Sequence, residues 1–184
     1  MSYPSRFILE LAKEDFKFSS AHFTLFGPDE AERLHGHNYR VRLQFEGDRV
    51  DDLGLLVDFV RTKKAIRALC EHLDTMTLLP GDCPLLALRQ LPPSTPDAAD
   101  DAGDWEVLYG PRRYVLPAAD VLVLPLANTT IELFAAWIWR ELAAEVMAAN
   151  PLVDVLTVSV GETDGQTCAY RAPLPRALSS NAPT

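Results

Sequence analysis

Cysteine is scarce in this 184-residue chain, and the three that occur, Cys70, Cys83 and Cys168, are odd in number and far apart. That spacing excludes a zinc ribbon and a close-paired redox motif, and it fits free thiols in a reducing cytoplasm better than a disulfide framework. Positive charge is also thin: 17 Lys and Arg stand against 26 Asp and Glu, for a formal charge of -9, and the basic residues form no cluster. Nucleic acid and anionic membranes both demand concentrated positive charge, so a small molecule is the expected partner. No apolar run is long enough to span a bilayer, and the start, Met1-Ser2-Tyr3-Pro4-Ser5-Arg6-Phe7, lacks the apolar core of a signal peptide. The expectation is a soluble cytoplasmic protein. With 48% hydrophobic residues the chain is not disordered, and its length suits a single domain around one core.

What the chain has is histidine in one place. Three of its four histidines are close together, His22 alone and then His35 and His37 in Glu32-Arg33-Leu34-His35-Gly36-His37-Asn38-Tyr39. The alternation that follows predicts a strand, on which residues 35 and 37 project from the same face. A chance His-x-His pair on a half-exposed strand has no ligand role, but a third histidine and a glycine that permits close approach favour a shared metal ion. Zinc suits neutral imidazole nitrogen, and a catalytic zinc takes three protein ligands with the fourth position open. A structural zinc would want a cysteine, and none is near. His72 falls in an amphipathic helical stretch and reads as a surface residue.

Residues 7 to 19 and 39 to 46 alternate as strands, with Phe16, Phe18 and His22 in one register and Val41, Leu43 and Phe45 in another. A turn-rich acidic loop, Gly27-Pro28-Asp29-Glu30-Ala31-Glu32, connects them and delivers Glu32 beside the histidines. Residues 58 to 72 read as a helix capped by Asp58. Residues 80 to 116 read as a surface insertion, proline-rich at first, acidic from 97 to 104, and closing on a hairpin around Gly110-Pro111-Arg112. An apolar helix is predicted from about 130 to 149, with Thr129 and Glu132 at capping-box spacing. Strands at 153 to 162 and 167 to 171 flank the turn Thr163-Asp164-Gly165-Gln166, and the tail after Pro173 reads as frayed. The order of elements predicts an α+β fold, an antiparallel sheet with both helices on one face.

Phe18-Ser19-Ser20-Ala21-His22, His35-Gly36-His37-Asn38-Tyr39, Gly54-Leu55-Leu56-Val57-Asp58-Phe59, Leu73-Asp74, Thr129-Thr130-Ile131-Glu132 and Gly161-Glu162-Thr163 occur in that order. In these pieces the chain resembles the 6-pyruvoyl-tetrahydropterin synthase and 6-carboxytetrahydropterin synthase family. The resemblance implies a tunnelling fold (T-fold) subunit with a four-stranded antiparallel sheet and two helices. It also implies homo-oligomers, trimers or hexamers, with active sites at subunit interfaces. By the same resemblance His22, His35 and His37 bind Zn2+, Glu162 anchors a pterin and Thr129 and Thr130 line the pterin side. A carboxylate can accept two parallel hydrogen bonds from the pterin amino group and adjacent ring N–H. A helix cap explains Thr129 and Glu132 equally well without any ligand.

Two positions depart from the family pattern. The usual catalytic cysteine, four residues before the first histidine of His-Gly-His, is Ala31, and the usual histidine after Leu-Asp is Thr75. Glu32, however, gives Glu-x-x-His-Gly-His, which resembles the variant subfamily whose product is 6-hydroxymethyl-7,8-dihydropterin. The implied reaction is retro-aldol cleavage of a dihydroneopterin side chain with Glu32 as base and Asp74 as an orienting group. A base of this kind works best with a pKa raised toward neutrality, by burial or by Asp29 and Glu30, whereas a zinc charge pulls it down, and the sequence leaves that balance open. Other readings are a carboxytetrahydropterin or pyruvoyl-tetrahydropterin synthase acting on dihydroneopterin triphosphate, an inert zinc- and pterin-binding subunit, and a metal-stabilised structural protein.

Overall fold

A computed structural model describes residues 5–93 and 102–175. Along the chain these form β1 (Phe7–His22), β2 (His35–Gly47), α1 (Phe59–Leu73), β3 (Thr77–Pro80), β4 (Ala87–Leu91), β5 (Asp104–Tyr109), β6 (Arg112–Pro117), β7 (Val121–Leu124), α2 (Ile131–Ala149), β8 (Val155–Thr163) and β9 (Gln166–Pro173). The fold is the α+β T-fold. Its four long antiparallel strands, β1, β2, β8 and β9, are the sheet the sequence predicts, and the structure extends them to six in the order β7-β3-β1-β2-β8-β9. The two added strands run parallel to β1 and to each other. Each is only four residues long, too short to show an alternation, and each is drawn into the sheet by buried residues such as Leu78, Leu79, Val121 and Leu124.

The pairing of β1 with β2 decides where the histidines go. Between Ala12 and Lys17 the register breaks: Ala12 faces Arg42 while Lys17 faces Arg40, so β1 uses five steps against two. This irregularity changes the parity of the inward face, from Leu9 and Leu11 before it to Phe16, Phe18, Ser20 and His22 after it. On β2 the inward residues stay odd throughout, Tyr39, Val41, Leu43 and Phe45, all at 2% exposure or less. After the break, the inward even residues of β1 therefore face the inward odd residues of β2.

Both helices cover that inward face, α1 against β1 and α2 against β8 and β9. Helix α1 contributes Ile66, Cys70 and Leu73, and α2 contributes Phe134, Trp137, Ile138, Leu142 and Val146. Asp58 caps α1 as the sequence predicts, accepting from the amides of Val60 and Arg61 at 2.9 and 3.3 Å. Asn150 ties the two helices together. It is 1% exposed. Its Oδ1 accepts from Asp58 N at 2.6 Å, while Nδ2 donates to Val146 O at 2.9 Å and Thr62 Oγ1 at 3.2 Å. Asn150→Ala removes these three hydrogen bonds at once and is expected to destabilise the protein by about 1–3 kcal/mol, read as a lower urea midpoint.

The insertion is more ordered than its composition suggests. The hairpin predicted around Gly110 is present as β5 and β6, and β4 joins it as a third antiparallel strand that the proline-rich context hides. A second apolar cluster, including Phe23, Leu25, Leu79, Val107, Tyr109 and Val121, fastens this small sheet to the loop after β1. Residues 97–101 of the acidic tract lie outside the described residues. The tail does not fray at once: Leu174 is 4% exposed and its amide donates to Asp154 O at 2.8 Å, while residues beyond 175 are outside the described part.

Candidate active site

In the β1–β2 register His22 lies opposite His35 and Ser20 opposite His37, so all three histidines stand on one face of two neighbouring strands. One ring nitrogen from each lies within 4.8 Å of the others. For comparison, tetrahedral zinc with Zn–N bonds near 2.05 Å places its nitrogens about 3.3 Å apart. The glycine between His35 and His37 is not a steric necessity, because a Cβ at Gly36 would meet Ser20 O at an ordinary 3.5 Å.

The hydrogen-bond network fixes the tautomers. His22 Nδ1 lies 2.9 Å from Thr129 O, and His35 Nδ1 lies 2.7 Å from Arg33 O. A carbonyl only accepts, so both Nδ1 atoms carry a proton, and the tautomer this selects turns Nε2 to the cluster. Burial is the largest influence on His22 and lowers its pKa, favouring the neutral form that a metal needs. His22 is 2% exposed, and among the described residues its Nε2 has no hydrogen-bond partner. Glu162 Oε1 does approach it at 3.1 Å, but in this tautomer that approach sets lone pair against lone pair and is not a hydrogen bond. Three imidazoles, one with an orphaned buried nitrogen, and a facing carboxylate could hold a divalent cation, and their chemistry suits zinc.

Glu162 lies against the histidines. Its Oε1 is 3.4 Å from His37 Nε2 and accepts a hydrogen bond from Tyr39 Oη at 3.1 Å. Tyr39 is fully buried, and burial together with the Glu162 charge pushes its pKa far above the ordinary phenol value, so it remains a donor. On its other side Glu162 lines an open cleft of about 120 Å³ with Asn38, Arg40, Thr163, Asp164 and Thr167.

Glu32 is part of a closed loop. Its amide donates to Thr24 O at 2.9 Å, and its Oε2 accepts from the Thr24 amide at 2.9 Å. Burial acts to raise the Glu32 pKa, but hydrogen bonds from the Thr24 side chain and backbone lead the influences that outweigh it, and the net shift is downward. The sequence leaves the direction of this shift open, and the structure gives it: the loop offers the carboxylate donors at short range.

The remaining candidates separate. Thr129 is 0% exposed, and its hydroxyl donates to Phe23 O at 2.8 Å, so within the chain it acts through its carbonyl on His22. The α2 cap is Thr130, not Thr129, with its hydroxyl accepting from Leu133 N at 3.4 Å. Asp74 is drawn to none of the histidines. Its Oδ1 accepts from Ser19 N at 2.6 Å at the end of α1, and Thr75 beside it adopts a left-handed φ of 63°. Sequence reasoning gave no role to Tyr39, Thr24 or Asn128, whose side chain both accepts from Leu25 N and donates to Leu25 O. Only Tyr39 carried a signal, its strand phase matching His35 and His37.

Fold and site together define a class: a small α+β subunit whose sheet bears a three-imidazole centre with carboxylates at its edge. The chain matches the family described as 6-pyruvoyl tetrahydropterin synthase over residues 10–173 and belongs to that family of pterin-processing proteins. A Methanocaldococcus jannaschii protein described as "Putative 6-carboxy-5,6,7,8-tetrahydropterin synthase" is 30% identical over 156 residues, 84% of this chain and 89% of the relative. The solved Plasmodium falciparum 6-pyruvoyl tetrahydropterin synthase is similar with a TM-score of 0.81 and 24% identity, covering 92% of this chain and 99% of that one. A Plasmodium vivax 6-pyruvoyltetrahydropterin synthase with its catalytic glutamate replaced by alanine gives 0.79 and 23% over 92% and 99%. Among the described residues no helix is long and apolar enough to cross a membrane.

Proposed function

We propose that this protein is a zinc-dependent lyase that cleaves the side chain of 7,8-dihydroneopterin, free or phosphorylated, to 6-hydroxymethyl-7,8-dihydropterin by a retro-aldol reaction. The observation that carries the reading is Glu32, an ionised carboxylate fixed on Thr24 within the field of His22 and His35, next to the position where the family's thiol is replaced by Ala31. The Plasmodium vivax relative is described with a catalytic glutamate, so the residue type has a counterpart in this fold.

Zinc held by His22, His35 and His37 would supply Lewis acidity toward the side-chain hydroxyls. The chain's own groups do the rest. The pterin ring occupies the cleft beside Glu162, whose carboxylate turns from the imidazoles to accept the ring's amino and N–H hydrogens. Thr130, whose hydroxyl hydrogen is left over from capping, borders the same ring. Glu32 takes the proton from the C2' hydroxyl, the C1'–C2' bond breaks, and its electron pair enters the conjugated C6=N5 system. Protonated Glu32 then returns the proton to C1'. Free dihydroneopterin yields hydroxymethyl-dihydropterin and glycolaldehyde, with no oxidant or reductant required. Asp74 holds Ser19 N, three residues before His22, so its contribution is positional. Assembly into trimers or hexamers with interfacial sites, and a cytoplasmic location, belong to the same reading.

The Methanocaldococcus jannaschii relative favours a second reading, formation of 6-carboxytetrahydropterin from dihydroneopterin triphosphate. Product analysis separates the two. Zinc-loaded protein given dihydroneopterin, its monophosphate and its triphosphate is expected to release 6-hydroxymethyl-7,8-dihydropterin from at least one of them. Carboxytetrahydropterin with acetaldehyde would establish the second reading instead.

A further inference from the structure

The turn between β5 and β6 places two polar side chains on one loop. Tyr109 Oη donates to Gly27 O, at the start of the loop that leads to Glu32. Arg112 donates from Nη1 to Glu32 O and from Nη2 to Ala31 O, the latter at 2.9 Å, at the end of that loop. The Arg112 guanidinium lies 5.9 Å from the Tyr109 ring centroid, so both grips come from one packed pair. The loop is itself closed by Phe26 N to Glu30 O at 2.8 Å and by Glu32 N to Thr24 O at 2.9 Å. Ala31 and Leu34 pack against the apolar cluster that includes Val107 and Tyr109 of the inserted sheet.

A guanidinium that donates to two successive carbonyls fixes the two peptide planes that flank the residue between them, which a single ammonium cannot do. That residue is Glu32. A carboxylate on a loop needs such support, because a displacement of about 1 Å costs about 100-fold in rate. We infer that the inserted β4–β6 sheet is a positioning element for the Glu32 carboxylate and acts through Arg112. The inference rests on the reading of Glu32 as the base.

The test uses the full zinc-loaded chain with Arg112→Ala and, as the gentler change, Arg112→Lys, each alone and combined with Glu32→Gln. Hydrogen exchange at the Thr24, Phe26 and Glu32 amides is expected to quicken by about 10-fold or more in both Arg112 variants, as loss of charge-assisted hydrogen bonds implies, while α2 amides keep their rates. Pterin cleavage is expected to lose about 10- to 100-fold in kcat with little change in KM. In the Glu32→Gln background the Arg112 substitutions are expected to add no further loss, since they act through the missing carboxylate. Unchanged exchange at residues 24–32 would overturn the inference, as would an equal kcat loss with and without Glu32. If Glu32→Gln alone leaves turnover intact, the base assignment is what fails, and with it the positioning role, even where exchange quickens.

Discussion

Glu32→Gln is expected to lower kcat by about 100- to 10,000-fold, the range for removal of a general base, with KM and zinc content nearly unchanged. Glutamine keeps the side chain's shape and an oxygen to accept from the Thr24 amide, and the Arg112 contacts are to backbone carbonyls. Only the capacity to take a proton is lost. The pH profile carries a second part of the same expectation. The Glu32 pKa is held below the usual 4.5, so the proposed base is already ionised at neutral pH, and its own protonation sets in only as pH drops through that lowered value. A cation at the histidines pulls in the same direction. Measured against pH, kcat/KM of the wild type should therefore lack any acid limb near neutrality that Glu32→Gln removes.

His22→Ala is expected to be the most damaging change to metal binding, with zinc affinity reduced by more than the roughly 10- to 100-fold typical of losing an outer partner. His22 is the most buried of the three proposed ligands, its proton is committed to Thr129 O, and among the described residues its Nε2 has no hydrogen-bond partner. Stability reports the same event. Zinc at 100 times its Kd stabilises a folded chain that binds it by about 2.7 kcal/mol. Wild-type protein should melt at a higher temperature with zinc than after chelation, and His22→Ala should show little difference between the two. Equal zinc content in both proteins would remove His22 from the ligand set.

Legibility in the sequence followed the range of the interactions. The long strands and both helices have alternating or helical apolar patterns and local caps, so Phe16, Phe18, Val41, Leu43 and Asp58 announced their places. His35 and His37 were legible because one strand carries both. Their meeting with His22 depends on the break between Ala12 and Lys17, which no local signal marks, and it followed only from the three histidines taken as one set. β3, β4 and β7 were hidden for a different reason: four or five residues show no period, and their pairing is decided by neighbours far along the chain. The sign of the Glu32 shift was not legible. Acidic neighbours and burial push the pKa up and a cation at the histidines pushes it down, and folding adds donors from Thr24, across the loop. The part played by Arg112 was not legible at all, because backbone carbonyls as acceptors leave no trace in residue identity.

Cleavage of 7,8-dihydroneopterin in D2O, followed by mass and proton spectra of the pterin product, tests the proposed proton path most directly. One solvent deuteron should be fixed at C1' of 6-hydroxymethyl-7,8-dihydropterin, delivered through Glu32 after the C1'–C2' bond breaks, with glycolaldehyde in equal amount. A hydroxymethyl product without deuterium at C1', or turnover in which the C1'–C2' bond stays intact, would contradict the assignment of Glu32 and the three histidines to a retro-aldol site.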